Sequence, residues 1–143
     1  MIIAISGTPG TGKTTASRLL AKKMKANFIR IRDIISEIPH EIDKERNTFV
    51  VDIKDLQSLV NKKLETGDNI VEGHLSHMLG ADIIIILRTN PKTLEKRLKV
   101  KGWKKSKIDE NVKAEMLDSA TIEAIELHSR KKVFEIDTSN KSI

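Results

Sequence analysis

One glycine-rich octapeptide near the N-terminus constrains the fold of this 143-residue chain more than any other feature. Residues Gly7 to Thr14 read G-T-P-G-T-G-K-T, which fits the pattern G-x-x-x-x-G-K-[ST]. The apolar run Met1 to Ser6 precedes it and predicts a buried strand, and Lys13 to Lys25 follows with apolar residues at helical spacing. Strand, glycine loop and helix in this order are the context in which the pattern forms a phosphate-binding loop, or P-loop.

Each residue type of this loop has a chemical reason to contact a nucleoside triphosphate. Glycines such as Gly10 and Gly12 let backbone N–H groups converge on phosphate oxygens at a helix N-terminus. Lys13 is placed to reach the β- and γ-phosphates, Thr14 to ligate Mg²⁺ through its hydroxyl, and Thr15 to contact the α-phosphate. We therefore expect ATP as a substrate and Mg²⁺ as its cofactor.

The remaining sequence alternates strand-like and helix-like segments, which predicts an α/β fold with a parallel sheet covered on both faces. Further strands are predicted at 27–31, 69–71, 82–87 and 133–136, and helices at 33–38, 55–67, 91–101 and 108–130. Asp55 and Asn90 are the expected N-caps, and Gly67 the expected end of the helix that Asp55 begins. Residues 40–48 are charged and are expected to be irregular. The predicted fold is a P-loop NTPase of five parallel strands flanked by helices.

Composition narrows the class of protein further. A length of 143 residues predicts one domain, 1–143, and 38% hydrophobic with 32% charged residues predicts a soluble protein without a membrane span. No charged segment precedes the first apolar run, so no signal peptide and a cytoplasmic location are expected. The absence of cysteine excludes disulfides and thiol catalysis. The excess of Lys and Arg over Asp and Glu, 26 to 20, favours phosphate-bearing ligands.

Glu72 is the candidate carboxylate of the site. It follows a short apolar strand, where P-loop enzymes place the residue that reaches Mg²⁺ directly or through water, although a solvent-facing strand end is the plainer interpretation. His74 lies two residues further along and is a candidate positioning group. His74 and His77 share a spacing of three, but two histidines without a third ligand rarely bind a metal, so a surface or core role is favoured for both.

A basic segment follows the helix that begins at Pro91. Lysines 101, 104, 105 and 107 surround the one tryptophan, Trp103, within about 100–110. Such a charge run is usually a solvated loop, but its place between two helices after the Ile-rich strand favours a short lid that closes over the phosphates of ATP.

Several segments together resemble the adenylate kinase isoenzyme 6 family, in its archaeal type. They are Gly7 to Thr15, Val71-Glu72-Gly73-His74, Leu87-Arg88-Thr89, Lys101-Gly102-Trp103 and Asp109-Glu110-Asn111-Val112. The resemblance implies a nucleoside monophosphate kinase of broad or weak activity that also hydrolyses ATP and assists maturation of the small ribosomal subunit and its 16S rRNA. It also implies the ribosomal protein uS11 as a partner.

Carried over by position, the family's ATP contacts fall on the loop residues and two lysines. These residues are Gly10, Gly12, Lys13, Thr14, Thr15, Lys101 and Lys141. The monophosphate-binding segment corresponds to about 30–53, where the cations Arg30, Arg32 and Arg46 are chosen on chemical grounds because guanidinium groups bind phosphate bidentately. Two departures stand out, since Glu72 replaces the family's aspartate and Lys101 its arginine.

Three alternatives to a nucleoside monophosphate kinase remain open at this point. One is an ATPase assembly factor that acts on a protein partner with water as the acceptor. Another is a kinase for a different small molecule, because a P-loop specifies the phosphate donor far better than the acceptor. The third is a nucleic-acid-binding module, which is disfavoured because 3% aromatic residues and no tyrosine provide few stacking surfaces.

Overall fold

Seven strands form two sheets in the computed structural model, which describes residues 1–43 and 48–140. The strands are β1 (Ile2–Gly7), β2 (Asn27–Arg30), β3 (His40–Asp43), β4 (Thr48–Val51), β5 (Asn69–Glu72), β6 (Ile83–Arg88) and β7 (Val133–Asp137). Five of them make one parallel sheet in the order β2-β5-β1-β6-β7, and β3 pairs with β4 in a separate antiparallel hairpin. The predicted P-loop NTPase fold with five parallel strands is confirmed.

Helices connect these strands and cover both faces of the parallel sheet. They are α1 (Lys13–Met24), α2 (Ile31–Ile34), α3 (Ile53–Lys63), α4 (Pro91–Val100), α5 (Lys105–Met116) and α6 (Ser119–Leu127), with single 3₁₀ turns at Ile35–Glu37, Ser76–Met78 and Arg130–Lys132. Asn90 caps α4 by accepting a hydrogen bond from the Lys92 N–H at 2.9 Å, and Pro91 occupies the first turn, as expected. Across the described ranges, no helix has the length and apolar character needed to cross a membrane.

The alternation of side chains along β1 explains how both faces are packed. Ile3 and Ile5 face α1, where they pack with Ala21 and with apolar residues of β5 and β6. Ala4 points to the opposite face and packs with Ala124 of α6. A strand buried on both faces is expected to be apolar at every position, and the sequence of β1 fulfils that condition up to Ser6.

Strand order determines where a ligand has room. β1 lies between β5 and β6, and Ile5 pairs with Glu72 while Gly7 pairs with Leu87. The chain leaves β1 toward β2 on one side of the sheet and later returns to β6 on the other side. Such a reversal opens a crevice at the carboxyl ends of the strands, and this crevice receives the P-loop.

Three boundaries differ from the sequence-based expectation. Residues 40–43 and 48–51 form the β3–β4 hairpin, whereas charged residues 40–48 were expected to be irregular; residues 44–47 lie outside the described residues. Asp52, not Asp55, caps α3, since its carboxylate accepts from the Lys54 N–H at 2.8 Å. The helix ends at Lys63, ahead of Gly67, where the Leu64 backbone becomes extended.

The long helix expected over 108–130 is two helices. Asp118 adopts a left-handed backbone conformation with φ of 55°, which separates α5 from α6. Its carboxylate accepts a hydrogen bond from the Arg88 guanidinium at 2.6 Å, and this ion pair fixes the break. Leu117 and Leu127, two apolar residues of this stretch, are exposed.

Candidate active site

The P-loop between β1 and α1 has the backbone shape that its glycines permit. Gly10 and Gly12 have φ of 93° and 92°, in the left-handed region where a side chain is strained. A Cβ at Gly10 would also lie 2.8 Å from the Leu94 side chain of α4. The loop therefore depends on glycine both for its conformation and for the approach of α4.

One backbone carbonyl inside the loop, that of Thr8, accepts three hydrogen bonds. The Thr8 oxygen accepts from the Thr11 N–H at 3.3 Å, from the Thr11 hydroxyl at 2.8 Å and from the Lys13 ammonium at 3.2 Å. Burial lowers the pKa of Lys13 from 10.5 to about 8, although the nearby Glu72 carboxylate opposes that shift. Lys13 is therefore held over the loop as a poorly solvated cation, which a phosphate stabilises in its charged form.

Arg97 and Thr138 form hydrogen bonds to the loop from outside it, and the sequence did not predict either contact. Arg97 of α4 donates to the Gly10 oxygen at 3.2 Å and to the Thr138 oxygen at 2.6 Å. The Thr138 hydroxyl, just after β7, donates to the Thr11 oxygen at 3.0 Å. Arg97 also lines the cavity described below, so its charge faces the phosphate region. Its one signal in the sequence is its place shortly before the basic segment at about 100–110.

Glu72 lies at the carboxyl end of β5, next to the loop and almost fully buried. One carboxylate oxygen is 3.4 Å from the Thr14 hydroxyl, which donates to it, and the other is 3.3 Å from Nε of Arg30. The latter carboxylate oxygen has no hydrogen-bond partner among the described residues. A buried carboxylate with a free lone pair beside a threonine hydroxyl fits Mg²⁺, which in kinases is bound by few protein groups and by substrate phosphates. Among the described residues, no group of three or more acidic or histidine side chains is placed to hold a metal ion.

These groups surround one cavity of about 490 Å³, a size typical of small-ligand sites. Nearly all of the residues expected in the site line it: Gly10, Gly12, Lys13, Thr14, Thr15, Arg30, Arg32, Glu72, His74 and Lys101. Arg46 and Lys141, also expected in the site, lie outside the described residues. The cavity is cationic along its length, since Lys96 and Arg97 add to the arginines and lysines already named.

The basic segment is shorter as a loop than expected. α4 ends at Val100 and α5 begins at Lys105, so only 101–104 form the turn and lysines 105 and 107 are helical. Lys101 and Trp103 line the cavity, whereas lysines 104, 105 and 107 do not. Trp103 packs against Leu94, Leu98 and Ile108, which ties the turn to both helices.

His77 has a structural role, as favoured from the sequence. Its ring Nδ1 lies 2.6 Å from the Ser6 hydroxyl and its Nε2 lies 3.2 Å from the Glu123 carboxylate, with the imidazole almost fully buried. Burial lowers the pKa of His77, with Glu123 acting in the opposite direction. His74, in contrast, lines the cavity.

A buried carboxylate on α5 links that helix to the P-loop. Glu115 accepts from the Thr8 hydroxyl at 2.8 Å, from the Arg88 Nε at 2.8 Å and from the Thr89 N–H at 2.9 Å. Burial alone lowers the pKa of Arg88, but its hydrogen bonds to Glu115 and Asp118 outweigh burial and raise it. α5, which follows the basic turn, is therefore connected directly to the phosphate-binding loop.

Comparison with known proteins shows the family of this chain. A family model described as AAA domain matches residues 3–118. A protein of Pyrococcus abyssi named "Putative adenylate kinase" is 42% identical over 99% of this chain and 77% of its own length. A protein of the same name from Methanococcus maripaludis is also 42% identical, over 99% of this chain and 81% of its own. The chain belongs to this adenylate kinase-like family of AAA-domain proteins.

Solved structures show the fold more widely. Shikimate kinase from Bacteroides thetaiotaomicron matches with a TM-score of 0.55 at 16% identity, over 96% of this chain and 85% of that one. Thymidylate kinase from Candida albicans matches with a TM-score of 0.52 at 14% identity, over 99% and 84%. At these identities the likeness establishes the P-loop kinase fold of this family member and leaves its acceptor open.

Proposed function

We propose that this protein is a nucleoside monophosphate kinase that transfers the γ-phosphoryl group of ATP to AMP or another nucleoside monophosphate. The observation that carries the proposal is one cavity whose lining combines P-loop residues with Glu72, Arg30 and Arg32. A phosphoryl transfer between two nucleotides requires a donor site and cations for a second phosphate in the same cavity, and these residues supply both. The names of the relatives support the same class of reaction.

In the proposed mechanism the loop binds the donor phosphates. Backbone N–H groups of the loop and the Lys13 ammonium hold the β- and γ-phosphates, and Arg97 adds positive charge from α4. The Thr14 hydroxyl and the Glu72 carboxylate would hold Mg²⁺, directly or through water, and the ion would supply charge neutralisation to the donor phosphates.

The acceptor side uses the cations of the segment 30–53. Arg30 and Arg32 would hold the monophosphate, and Arg46 belongs to the same proposal without a described position. An oxygen of the acceptor phosphate then forms a bond to the γ-phosphorus while the bond from that phosphorus to the β,γ-bridging oxygen breaks, which yields ADP and a nucleoside diphosphate. His74 and Lys101 line the transfer path, and we assign them positioning roles. No covalent intermediate on the protein is required.

The decisive experiment measures ADP production from Mg²⁺–ATP with and without AMP, dAMP, CMP, UMP and GMP. We expect a rate that depends on a monophosphate, is lost in Lys13→Ala and is retained in Lys22→Ala, which removes an exposed lysine of the same helix. A slow rate indifferent to every monophosphate would reject the kinase.

The second part of the proposal is ATP hydrolysis coupled to maturation of the small ribosomal subunit. It rests on the sequence resemblance and on the basic charge of the chain, 26 Lys and Arg against 20 Asp and Glu. A contact with ribosomal protein uS11 stays a prediction. Stimulation of ADP production by purified uS11, saturable and absent in Lys13→Ala, would favour it over the kinase as the main activity.

A further inference from the structure

Glu72 and Arg30 stand at the boundary between the donor and acceptor sides of the cavity. They are the last residues of β5 and β2, and the parallel register of these strands pairs them directly. Glu72 is 4% exposed, so its carboxylate is removed from water. Arg30 Nε, 3.3 Å away, is the nearest cationic group that forms an ion pair with it within the described ranges.

The contact between them is an ion pair of incomplete geometry. Neither Nε of Arg30 nor the facing carboxylate oxygen of Glu72 makes a hydrogen bond to any described residue. Buried polar atoms of this kind are usually satisfied, so this pair has free bonding capacity on both sides. The other carboxylate oxygen accepts a hydrogen bond from the Thr14 hydroxyl at 3.4 Å, so the same carboxylate contacts the P-loop and Arg30.

Glutamate has the reach for both contacts because it carries one methylene more than aspartate. Mg²⁺ is a compact divalent cation that binds oxygen ligands. It therefore competes with the singly charged Arg30 guanidinium for the Glu72 carboxylate, and we expect the metal to bind it more strongly. Once the metal neutralises Glu72, Arg30 loses its counter-charge in a poorly solvated place. A phosphate dianion is then the best available partner for the guanidinium.

We infer that Arg30 and Glu72 form an exchange pair that makes acceptor binding depend on the donor. Before nucleotide binds, Arg30 holds the Glu72 carboxylate; Mg²⁺–ATP draws Glu72 to the metal, and Arg30 is released to the acceptor phosphate. The inference rests on the proposed kinase function. The coupling works in both directions, since linkage requires that the acceptor also tighten Mg²⁺–ATP binding by the same factor.

The first experiment measures the dissociation constant of AMP by calorimetry, with and without Mg²⁺ and the β,γ-imido analogue of ATP. In the wild-type protein we expect AMP to bind about tenfold more tightly with the analogue present, within the usual range of coupling between sites. In Glu72→Gln, which keeps size and removes charge, the factor should fall below about twofold. Equal AMP affinity in both states of the wild type, or undiminished coupling in Glu72→Gln, would overturn the inference.

Asp33→Asn is the matched control. Asp33 lies 3.7 Å from the Arg30 guanidinium, but its side chain is 64% exposed. Surface ion pairs contribute little, so removal of this carboxylate should leave the coupling factor unchanged.

A second experiment is independent of any acceptor. The Mg²⁺ concentration that half-saturates binding of the ATP analogue should fall several-fold in Arg30→Gln, because Arg30 no longer competes for Glu72. Arg32→Gln, which also removes a cation from the cavity but no ion pair to Glu72 in the described residues, should not change it. An unchanged Mg²⁺ requirement in Arg30→Gln would overturn the exchange.

A double variant separates folding defects from effects on Mg²⁺ binding. Arg30→Gln leaves a buried carboxylate without its cation, so its thermal unfolding is compared with that of Arg30→Gln/Glu72→Gln, where both charges are absent. The double variant should show the Mg²⁺ requirement of Glu72→Gln alone. If no monophosphate binds under any condition, the kinase proposal fails, while the Mg²⁺ experiment still decides whether the pair exchanges.

Discussion

The lowered pKa of Lys13 bears directly on nucleotide binding, because it changes the charge of a residue that is expected to contact phosphate. Its pKa of about 8, lowered from 10.5 by burial, means that the empty site carries a partly neutral lysine in mildly alkaline solution. Phosphate favours the ammonium form, so binding of ATP takes up a proton above that pH.

From this we predict the pH dependence of ATP affinity. The dissociation constant of ATP should be constant up to about pH 7 and should rise above pH 8, approaching tenfold per pH unit at most. A calorimetric or fluorescence titration between pH 6.5 and 9.5 measures it. Lys13→Arg should bind more weakly but with a flat profile, because arginine stays protonated. A flat wild-type profile would contradict the lowered pKa.

The same pKa shift predicts how the free energy of unfolding of the nucleotide-free protein changes with pH. Between about pH 8 and pH 10.5 the unfolded chain keeps a proton on Lys13 that the folded protein has released. The free energy of unfolding therefore gains a contribution from this group as the pH rises through that window. Below pH 8 both states are protonated, and the desolvation of the charged lysine opposes folding.

The sequence predicted those site residues that belong to a local motif or directly follow a strand. Gly10 to Thr15 follow one pattern, and Glu72 follows a strand. Arg97 and Glu115 were missed because they reach the loop across 87 and 107 residues of chain, which no local pattern records. The pairing of Glu72 with Arg30 depends on the register of two strands and was likewise invisible.

At the scale of elements, the α4–α5 unit is the part that connects the cavity to a buried cluster. Trp103 lies in the turn between the helices, packs on Leu94 and Leu98 and also lines the cavity. It is the one tryptophan of the sequence, so its emission reports on this turn alone.

We predict that Mg²⁺–ATP changes the emission of Trp103. If lysine 101 closes on the phosphates, the neighbouring indole changes its exposure, and the emission maximum should shift in a saturable titration. Lys101→Ala should bind ATP more weakly and show a reduced shift, while Lys104→Ala, which removes a lysine outside the cavity lining, should behave as wild type. Emission that stays constant while calorimetry shows ATP bound would rule out movement of the turn.

Glu115 gives the second prediction at this scale. Glu115→Gln removes the charge that pairs with Arg88 and weakens the contacts to Thr8 and Thr89, so the free energy of unfolding should fall by about 1–3 kcal/mol. The loss is limited because Arg88 keeps its ion pairs with Asp118 and Glu135.

Chemical denaturation measures this loss, with Glu110→Gln as the control on the same helix. Glu110 is exposed, and its substitution should change the free energy of unfolding by less than about 0.5 kcal/mol. Equal effects of the two substitutions would mean that the buried network does not stabilise the fold.

The elements themselves were largely predictable, with errors where tertiary contacts override local pattern. The helical spacing of apolar residues and the sequence signals at the helix starts located α1 and α4, because both helices begin with strong local signals. The break between α5 and α6 was missed because an Asp118–Arg88 ion pair holds a left-handed residue that the sequence alone presents as an ordinary helical aspartate. The β3–β4 hairpin was missed because each strand has four residues and β3, which reads His-Glu-Ile-Asp, is mostly polar.

For the whole molecule, alternation of strands and helices predicted a parallel sheet but not its order. Placing β5 between β2 and β1 depends on long-range packing, and this order is what brings Glu72 beside both the P-loop and Arg30. The strand order is therefore what brings Glu72 and Arg30 into the same cavity as the P-loop.

The last prediction tests that arrangement directly. Diadenosine pentaphosphate carries two adenosines joined by five phosphates, so a single molecule can occupy a donor and an acceptor position at the same time. Because its second half binds as an intramolecular event at high effective concentration, it should bind at least about tenfold more tightly than ATP. It should also raise the unfolding temperature by several degrees more than ATP does at equal concentration.

Scanning calorimetry with ATP, AMP and diadenosine pentaphosphate measures the difference. Lys13→Ala should reduce stabilisation by ATP and by the linked molecule, whereas Arg32→Gln should affect AMP and the linked molecule and leave ATP unchanged. That split follows from the proposed roles, in which Lys13 binds the donor phosphates and Arg32 the acceptor phosphate. A linked molecule that stabilises the protein no more than ATP would mean that the cavity holds one nucleotide, and the partner-coupled ATPase would become the better account of its function.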